Sequence, residues 1–412
     1  MTETTQEFIR PPSPPGPIKW VRDNLFNTWF NSILTIILIP LVGYAIFALV
    51  KWVFISADWT PVFSAPLLFV VGQYPRPEIW RVFISLAGIM FLLGASWGRW
   101  GGLLRPIAIS GAALFAFFAL LPVQHNDLSL VLFSISSFEF TVRIYLGVTA
   151  ALVFAGYWLG RLEAVKKWHI VAAWGILPMI AILLTSGFGD SELLPAVTTT
   201  AWGGLLVTIL LAAGGILLSI PIGLFLALGR RSTLPVLKVF STIMIEGIRG
   251  VPLVTILFMF SFILTLLLPP EARIDRIVRA LMAVTFFSAA YTAENIRGGL
   301  QAVHPGQIEA AKAVGMSGVQ TMVFIVLPQA IRAVLPAIVG QFIALFKDTT
   351  LVVIVGINDL LGIGRAIVNS EPAFLQLQLE VYIFIAVIYM IFSYLMSMAS
   401  RRLETTMGVQ NN

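Results

Sequence analysis

No cysteine occurs in the 412 residues, which excludes disulfides and thiolate metal sites and leaves the redox compartment open. Charge is also scarce: 11% of residues are charged against 58% hydrophobic, and the mean hydropathy is +0.93. A soluble globule of this size needs more polar surface, so the chain reads as an integral membrane protein. Histidine is rare too; His125, His169 and His304 stand far apart, are expected in loops, and suggest neither a metal site nor a general base. A glycine-lysine phosphate loop is missing, so hydrolysis of ATP by that route is excluded. Alternating ten-residue strands are missing as well. The apolar runs are about 20 residues long, which makes the spans helices and not a barrel. No small-residue cleavage signature follows the first run, which is therefore read as a retained helix. The net charge of +6 comes from basic residues scattered between apolar runs. These are orientation signals, and nucleic-acid binding is not expected.

Along the chain, residues 1–27 are polar and proline-dense, with PPSPPGP at 11–17, and are expected to form a mobile extended tail. Apolar runs follow at about 29–50, 82–98, 103–122, 144–160 and 168–186, and 28–190 is read as an N-terminal extension of about five membrane helices. Within it, Gly94, Gly98 and Gly102 recur every four residues and predict a groove for a neighbouring helix. The stretch 187–198, GFGDSELLPAVT, is acidic and turn-rich and reads as a boundary. A second set of runs follows at about 201–228, 240–268, 279–300, 329–347 and 379–399. The fold class is thus an all-α integral membrane protein of about ten transmembrane helices, with a five-helix domain at 198–402 and a tail at 403–412. An even number places both termini on one side. Putting that side in the cytoplasm collects most basic residues there, among them Arg99, Arg161, Lys166, Lys167, Arg230 and Arg231. TWFNSILTIIL at 28–38 and TAWGGLLVTIL at 200–210 echo one another, either as a relic of duplication or by chance.

Four features in the second half invite a functional reading. Between two apolar segments, 304–328 carries Glu309, Ala310, Ala311 and Lys312, then Gly315 and Gly318, then Leu327 and Pro328. The pattern predicts a short flat helix, a turn and a second short helix at a membrane surface, which suits docking. The other three are charge clusters, and ionised groups at membrane depth are costly unless paired or lining a cavity. Glu246 with Arg249, ahead of Pro252, shares one helix face, and the proline breaks the helical ladder. Glu294 with Arg297 does the same after Tyr291. Lys347-Asp348-Thr349 interrupts apolar sequence about 28 Å of helical rise beyond Pro328 and is expected deeper than the other two. Each cluster is either a self-satisfied ion pair near the interface, with Arg249 and Arg297 snorkelling, or part of a polar pathway. A cavity holding carboxylates, cations, a tyrosine and threonines suits a zwitterionic amino acid better than a sugar.

Glu309-Ala310-Ala311, Gly315 and Ile325-Val326-Leu327-Pro328 resemble the EAA loop of binding-protein-dependent ABC importer permeases of type I. GLLVTIL at 204–210, EGIRGVPLV at 246–254, AYTAENIRGGLQAV at 290–303, HPGQIEAAKAVGM at 304–316 and FKDTTLV at 346–352 are similar to successive signatures of polar amino acid permeases. Val251 departs from the pattern, where threonine is common. The resemblance implies a five-helix permease core in a bacterial inner membrane and ATPase coupling through Glu309, Ala310, Ala311, Gly315, Leu327 and Pro328. Its implied partners are a second homologous permease, two ABC ATPase subunits that bind ATP and magnesium, and a periplasmic amino acid-binding protein. The chain itself would be no enzyme and hold no cofactor. The added first half resembles the M-type subunit of general L-amino acid importers, whose second permease is a different chain. The alternatives are a permease for another small polar solute and an ion-coupled secondary transporter.

Overall fold

The computed structural model describes residues 16–406 except 103, 121–136, 190, 192–193, 270–271 and 273. The first fifteen residues of the expected tail, His125 and the last six residues lie outside the described ones. Among the described residues the regular structure is helical, with extended pairing confined to isolated bridges joining Gly72 to Trp202 and Gly204 to Asp359. Eight helices of the described residues are long and apolar enough to span a membrane, nine if one bent pair counts as a span, and Leu104–Leu120 is a shorter apolar helix.

Met1–Asp58 forms one compact unit. Helix α1 (Pro17–Leu25) replaces the end of the expected extended tail. The proline-dense stretch stops at Pro17, which takes the first-turn position where its missing N–H costs nothing. Thr28 caps α2 (Trp29–Lys51) by accepting from the Asn31 amide at 3.2 Å. The Thr35 hydroxyl donates to the Leu25 carbonyl at 2.9 Å. Thr35 is the one buried residue of α2, and the side chains exposed around the rest of the helix are mostly large and apolar, as on a lipid-facing span.

Trp59–Asn412 forms the other unit. It opens with α3 (Thr60–Ser64) and α4 (Pro66–Val71), two short helices that no signal in the sequence announced. Four longer helices follow: α5 (Ile79–Trp100), α6 (Leu104–Leu120), α7 (Ser137–Arg161) and α8 (Lys167–Ser186). The glycine groove is real and reciprocal. A Cβ on Gly94 or Gly98 would lie 1.9 or 2.2 Å from a carbonyl of α7, and one on Gly156 or Gly160 would lie 1.9 or 2.1 Å from a carbonyl of α5. Absent side chains let the two parallel helices touch backbone to backbone, the close approach that dispersion rewards in lipid. Gly102 is not part of the groove: α5 has ended at Trp100, and a Cβ on Gly102 meets open space. At the start of α5 Arg81 is fully buried, pairs with Glu78 at 2.6 Å and donates to the Pro195 carbonyl at 2.8 Å. Tyr74, in the preceding loop, donates to the Thr185 carbonyl at 2.7 Å. Burial pushes its hydroxyl up to about 12, so it stays a donor. The Arg81 bond pins the 187–198 connection to α5, and the Tyr74 bond ties the loop ahead of α5 to the end of α8.

The second set begins with α9 (Gly204–Arg230). The run at 240–268, expected as one span, is two elements: α10 (Pro235–Arg249) and a segment from α11 (Leu253–Phe258) through a π turn to α12 (Leu264–Leu267), bent by 111°. Pro252 is the cause, since it cannot donate and instead caps α11. Helix α13 (Arg276–Ala302) lies between α9 and α16 (Leu327–Asp348). Its Ala280, Ala283, Ala289, Ala290 and Ala293 are fully buried. Gly223 of α9 and Gly299 of α13 remove the side chains that would hold the three apart: a Cβ on Gly223 would lie 2.8 Å from Thr292, and one on Gly299 2.4 Å from the Ala330 carbonyl. Beyond α16 come α17 (Leu360–Val368) and α18 (Gln378–Thr406). Helices α5, α7, α9 and α13 all start at one end, where Arg276 donates to the Thr200 and Gly356 carbonyls. This is the far end; the opposite one, carrying 304–328, is the loop end.

The two threonines of the sequence echo are held differently: Thr35 bonds back ten residues, whereas Thr208 donates to the Gly204 carbonyl and accepts the Leu360 amide.

Gly156→Leu should lower unfolding stability in detergent by about 1–3 kcal/mol, the cost of overpacking. Gly147→Ala, whose Cβ meets nothing within 4 Å, should change it little. Thermal unfolding by circular dichroism compares the two, and equal losses would contradict the packing.

Candidate coupling loop and polar pathway

The loop at 304–328 is built from local signals. His304 caps α14 (Pro305–Ala313) with its Nδ1 accepting from the Gly306 amide at 3.1 Å, and Pro305 takes the first turn. Helix α14 ends on Gly315, at φ +82, a left-handed conformation that only glycine adopts without cost. A Cβ there would find open space, so the backbone angle, and not close approach, calls for glycine. Ser317 and Gln320 then form a reciprocal capping box at the start of α15 (Gly318–Gln320). The second helix is not short: it runs through a π turn, Thr321–Val326, directly into α16. Pro328 falls in the first turn of α16, where proline continues a helix instead of stopping it. Only Ala311 of α14 is buried. Glu309, Ala310, Lys312 and Ala313 face outward, beside exposed Val314, Val319 and Phe324.

The first two charge clusters meet, but not as their spacing suggested. Glu294 and Arg297 pair within α13, whereas Glu246 does not pair with Arg249. Glu246 instead takes Arg230, the last residue of α9, at 2.8 Å. Arg230 and Arg249 each approach Glu294 at 3.5 Å. One carboxylate is thus shared by three guanidiniums from α9, α10 and α13. The guanidinium of Arg249 lies 5.4 Å from the ring centre of Tyr291, a cation–π contact. Arg230 was legible only as an orientation signal, since its partners lie 16 and 64 positions away. Next to Glu294, Asn295 donates to Gln341 at 2.8 Å, and on the far-end side Gln341 donates to the Ser288 carbonyl at 2.7 Å and to Thr292 at 3.2 Å. Side chains of the hub are 22–54% exposed, so water screens each pair and no single one is worth much. Three cations around two carboxylates leave a positive surplus, to which an incoming carboxylate is attracted.

The third cluster stands elsewhere. Helix α16 rises about 33 Å over its length, the full hydrocarbon thickness. Lys347 and Asp348, its last two residues, therefore emerge at the far end and not deep in the span as expected. Lys347 is exposed and Asp348 half-buried; Thr349 is fully buried and opens a 3-10 turn, Thr349–Val355. Thr349 stands 3.4 Å from the Tyr389 hydroxyl, which donates to Asp359 at 3.2 Å. Asp359, fully buried, caps α17 by accepting the Gly362 amide at 2.9 Å. Thr208 completes the group, about 33 Å up α9 from Arg230. One cavity does not hold all three clusters. Asp359, Tyr389 and Thr208 were missed, although Asp359 three residues ahead of Gly362 has the spacing of a helix cap.

His169 lies in the first turn of α8 and not in a loop, its Nδ1 accepting the Lys166 amide at 3.0 Å. No group of three or more His, Asp or Glu suited to a metal occurs among the described residues.

Asp359 lies in the connection between the last two spans, and burial raises its carboxyl to about 6. The folded chain holds this proton more tightly than the unfolded one, so the contribution is favourable below about pH 4 and is lost as pH rises to about 6. Asp359→Asn, which keeps a capping side chain, should abolish that part of the pH dependence and stabilise the protein at pH 7 by about 3 kcal/mol. Thermal unfolding of both proteins from pH 4 to pH 8 tests this. A wild-type minus variant difference that stays flat would contradict it.

The family model described as binding-protein-dependent transport system inner membrane component matches residues 219–409. Over 402 residues the chain is 35% identical to the inner membrane amino-acid ABC transporter permease protein YhdY of Escherichia coli (strain K12), covering 93% of this chain and 91% of that protein. It is also 35% identical over 438 residues to the glutamate/glutamine/aspartate/asparagine transport system permease protein BztC of Rhodobacter capsulatus, covering 98% and 96%. The probable glutamine ABC transporter permease protein GlnP of Bacillus subtilis is 38% identical over 205 residues, which is 49% of this chain and 91% of that one. The first two relatives match the extension as well as the core. The chain belongs to the inner-membrane permease family of amino-acid ABC transporters, as a multi-pass transport subunit and not an enzyme.

Proposed function

We propose that this permease passes polar L-amino acids, and that ATP-derived energy enters through α14. The observation that carries the reading is the loop's construction: a cap, a flat helix and a glycine turn leave Glu309, Ala310, Lys312 and Ala313 outward, and both flanking spans belong to the core. A docked subunit that displaced α14 would act on α13 two residues upstream and on α16 through the continuous helix downstream. In this reading Glu309, Ala310, Ala311 and Gly315 form the contact, while Leu327 and Pro328 set how α16 leaves it. The polar pathway is formed by Glu246, Arg249, Tyr291, Glu294 and Arg297 at the loop end and by Lys347, Asp348 and Thr349 at the far end. The cationic surplus of the hub favours substrates carrying a carboxylate, in keeping with relatives named for glutamate, glutamine, aspartate and asparagine.

The partners in this proposal are two ATPase subunits, which hold ATP and magnesium, a solute-binding protein at the far end, and a second, different permease. Both termini then lie in the cytoplasm with the loop end. ATP binding draws the ATPases together, α14 moves with them, and the core opens toward the far end; hydrolysis resets it. Alternating access of this kind needs two packed states, and the glycine and alanine contacts of α9, α13 and α16 permit sliding without cavities.

Gly315→Asp should uncouple the two parts. In liposomes holding the full complex, binding-protein-stimulated ATP turnover should fall by about tenfold or more while basal turnover persists, a coupling loss of ordinary size. Normal stimulation would remove the loop from the energy path.

A further inference from the structure

Helix α1 (Pro17–Leu25), in the unit Met1–Asp58, has no part in that pathway. Ile18, Val21 and Leu25 recur at i, i+3 and i+7 and so share one face of the helix, whereas Asp23 falls on the opposite one. Arg22 and Lys19 flank the apolar face along one edge, and both are exposed. No residue of α1 is buried, and Ile18 is 86% exposed. A nine-residue helix is marginal by itself in water. Its stability therefore depends on something that covers the apolar face. The elbow that follows fixes the height of α1 against α2. Asn31 donates to the Asn27 side chain at 2.6 Å, Ser32 to the Thr28 carbonyl at 2.8 Å and Thr35 to the Leu25 carbonyl at 2.9 Å. These bonds meet the polar groups of the elbow from within, as a turn entering lipid requires. Thr35 lies six residues beyond Trp29, or about 9 Å of helical rise, so α1 ends beside the second turn of α2. Trp29 and Phe30, at the start of α2, are both exposed, with their rings edge-on at 6.1 Å. Exposed aromatic rings at the end of a span mark the headgroup level. The end of α1 thus reaches about the depth to which an interfacial helix immerses its apolar face.

We propose that α1 lies in the headgroup layer of an anionic leaflet, with Ile18, Val21 and Leu25 toward hydrocarbon and Lys19 and Arg22 on lipid phosphates. The apolar face supplies the burial that the isolated helix lacks, and the two cations add attraction to negatively charged headgroups. In the orientation proposed above this is the cytoplasmic leaflet; the seat itself does not depend on that orientation. So held, α1 sets the height at which α2 enters the bilayer.

The chain has no cysteine, so Ile18→Cys, Val21→Cys and Asp23→Cys each accept a single nitroxide spin label in the full-length protein. Spin-label accessibility to oxygen, which favours hydrocarbon, and to a neutral nickel chelate, which stays in water, is then measured in liposomes with dioleoyl phosphatidylglycerol in both leaflets or of dioleoyl phosphatidylcholine alone. With phosphatidylglycerol, labels at positions 18 and 21 should meet oxygen and not nickel, and the label at position 23 the reverse. Adding Lys19→Gln/Arg22→Gln to Ile18→Cys should lower the ratio of immersed to water-exposed label by about thirtyfold, the loss expected for two cations at an anionic surface. Phosphatidylcholine should lower it in the same way. Equal nickel access at positions 18 and 23, the same immersion in both lipids, or a position-18 label shielded from oxygen and nickel alike, which marks contact with protein instead of lipid, would overturn the proposal.

Discussion

Glu294 is the constraint on which the loop end of the core depends. It is the one acid that Arg230, Arg249 and Arg297 share, and those arginines end α9, end α10 and follow one turn later on α13. Guanidiniums near a membrane interior are tolerated only when a counter-charge or water meets them. Without Glu294, Glu246 alone would face three cations. The charge of Glu294 therefore holds three helices in register only eight residues before α13 ends and eleven before α14 begins with Pro305. A displacement of α14 reaches the hub through less than three turns of helix, and a change at the hub reaches α14 by the same path.

Small residues make that path stiff. The buried alanines of α13, Gly223 of α9 and Gly299 of α13 bring backbones into direct contact, so neighbouring helices shift as bodies and not by side-chain adjustment. The extension uses the same device: Gly94, Gly98, Gly156 and Gly160 lock α5 to α7. Buried Arg81 then fixes the extension to the connection before the core, and buried Tyr74 ties the loop ahead of α5 to α8. At the far end Asp359, Tyr389, Thr208 and Thr349 join α9, α16, α17 and α18 in one buried group.

Spans and local caps were legible because each is written within one stretch of chain. Apolar length alone locates nine helices closely, and Gly94 and Gly98 declare their packing by spacing. The 304–328 loop could be read because Ala310, Ala311, Gly315 and Gly318 write a helix and a turn within a few residues, whereas the His304 cap and the Ser317–Gln320 box emerged only from the structure. What failed were statements about partners distant in sequence. Glu246 prefers Arg230 over its neighbour Arg249, which periodicity cannot reveal. Depth also failed: Lys347 and Asp348 interrupt an apolar run, yet α16 carries them right across to the far end. Pro252 was recognised as a break, but a bend of 111° depends on what each half packs against. Helices α3 and α4 were missed because five or six residues show no periodicity.

The most direct measure of the central claim is the number of amino acids carried per ATP hydrolysed in liposomes containing the reconstituted importer with Glu294→Gln. If Glu294 couples the polar pathway to α14, basal ATP turnover should persist while transport per ATP collapses. A wild-type ratio would show that the hub only braces the helices and has no part in coupling.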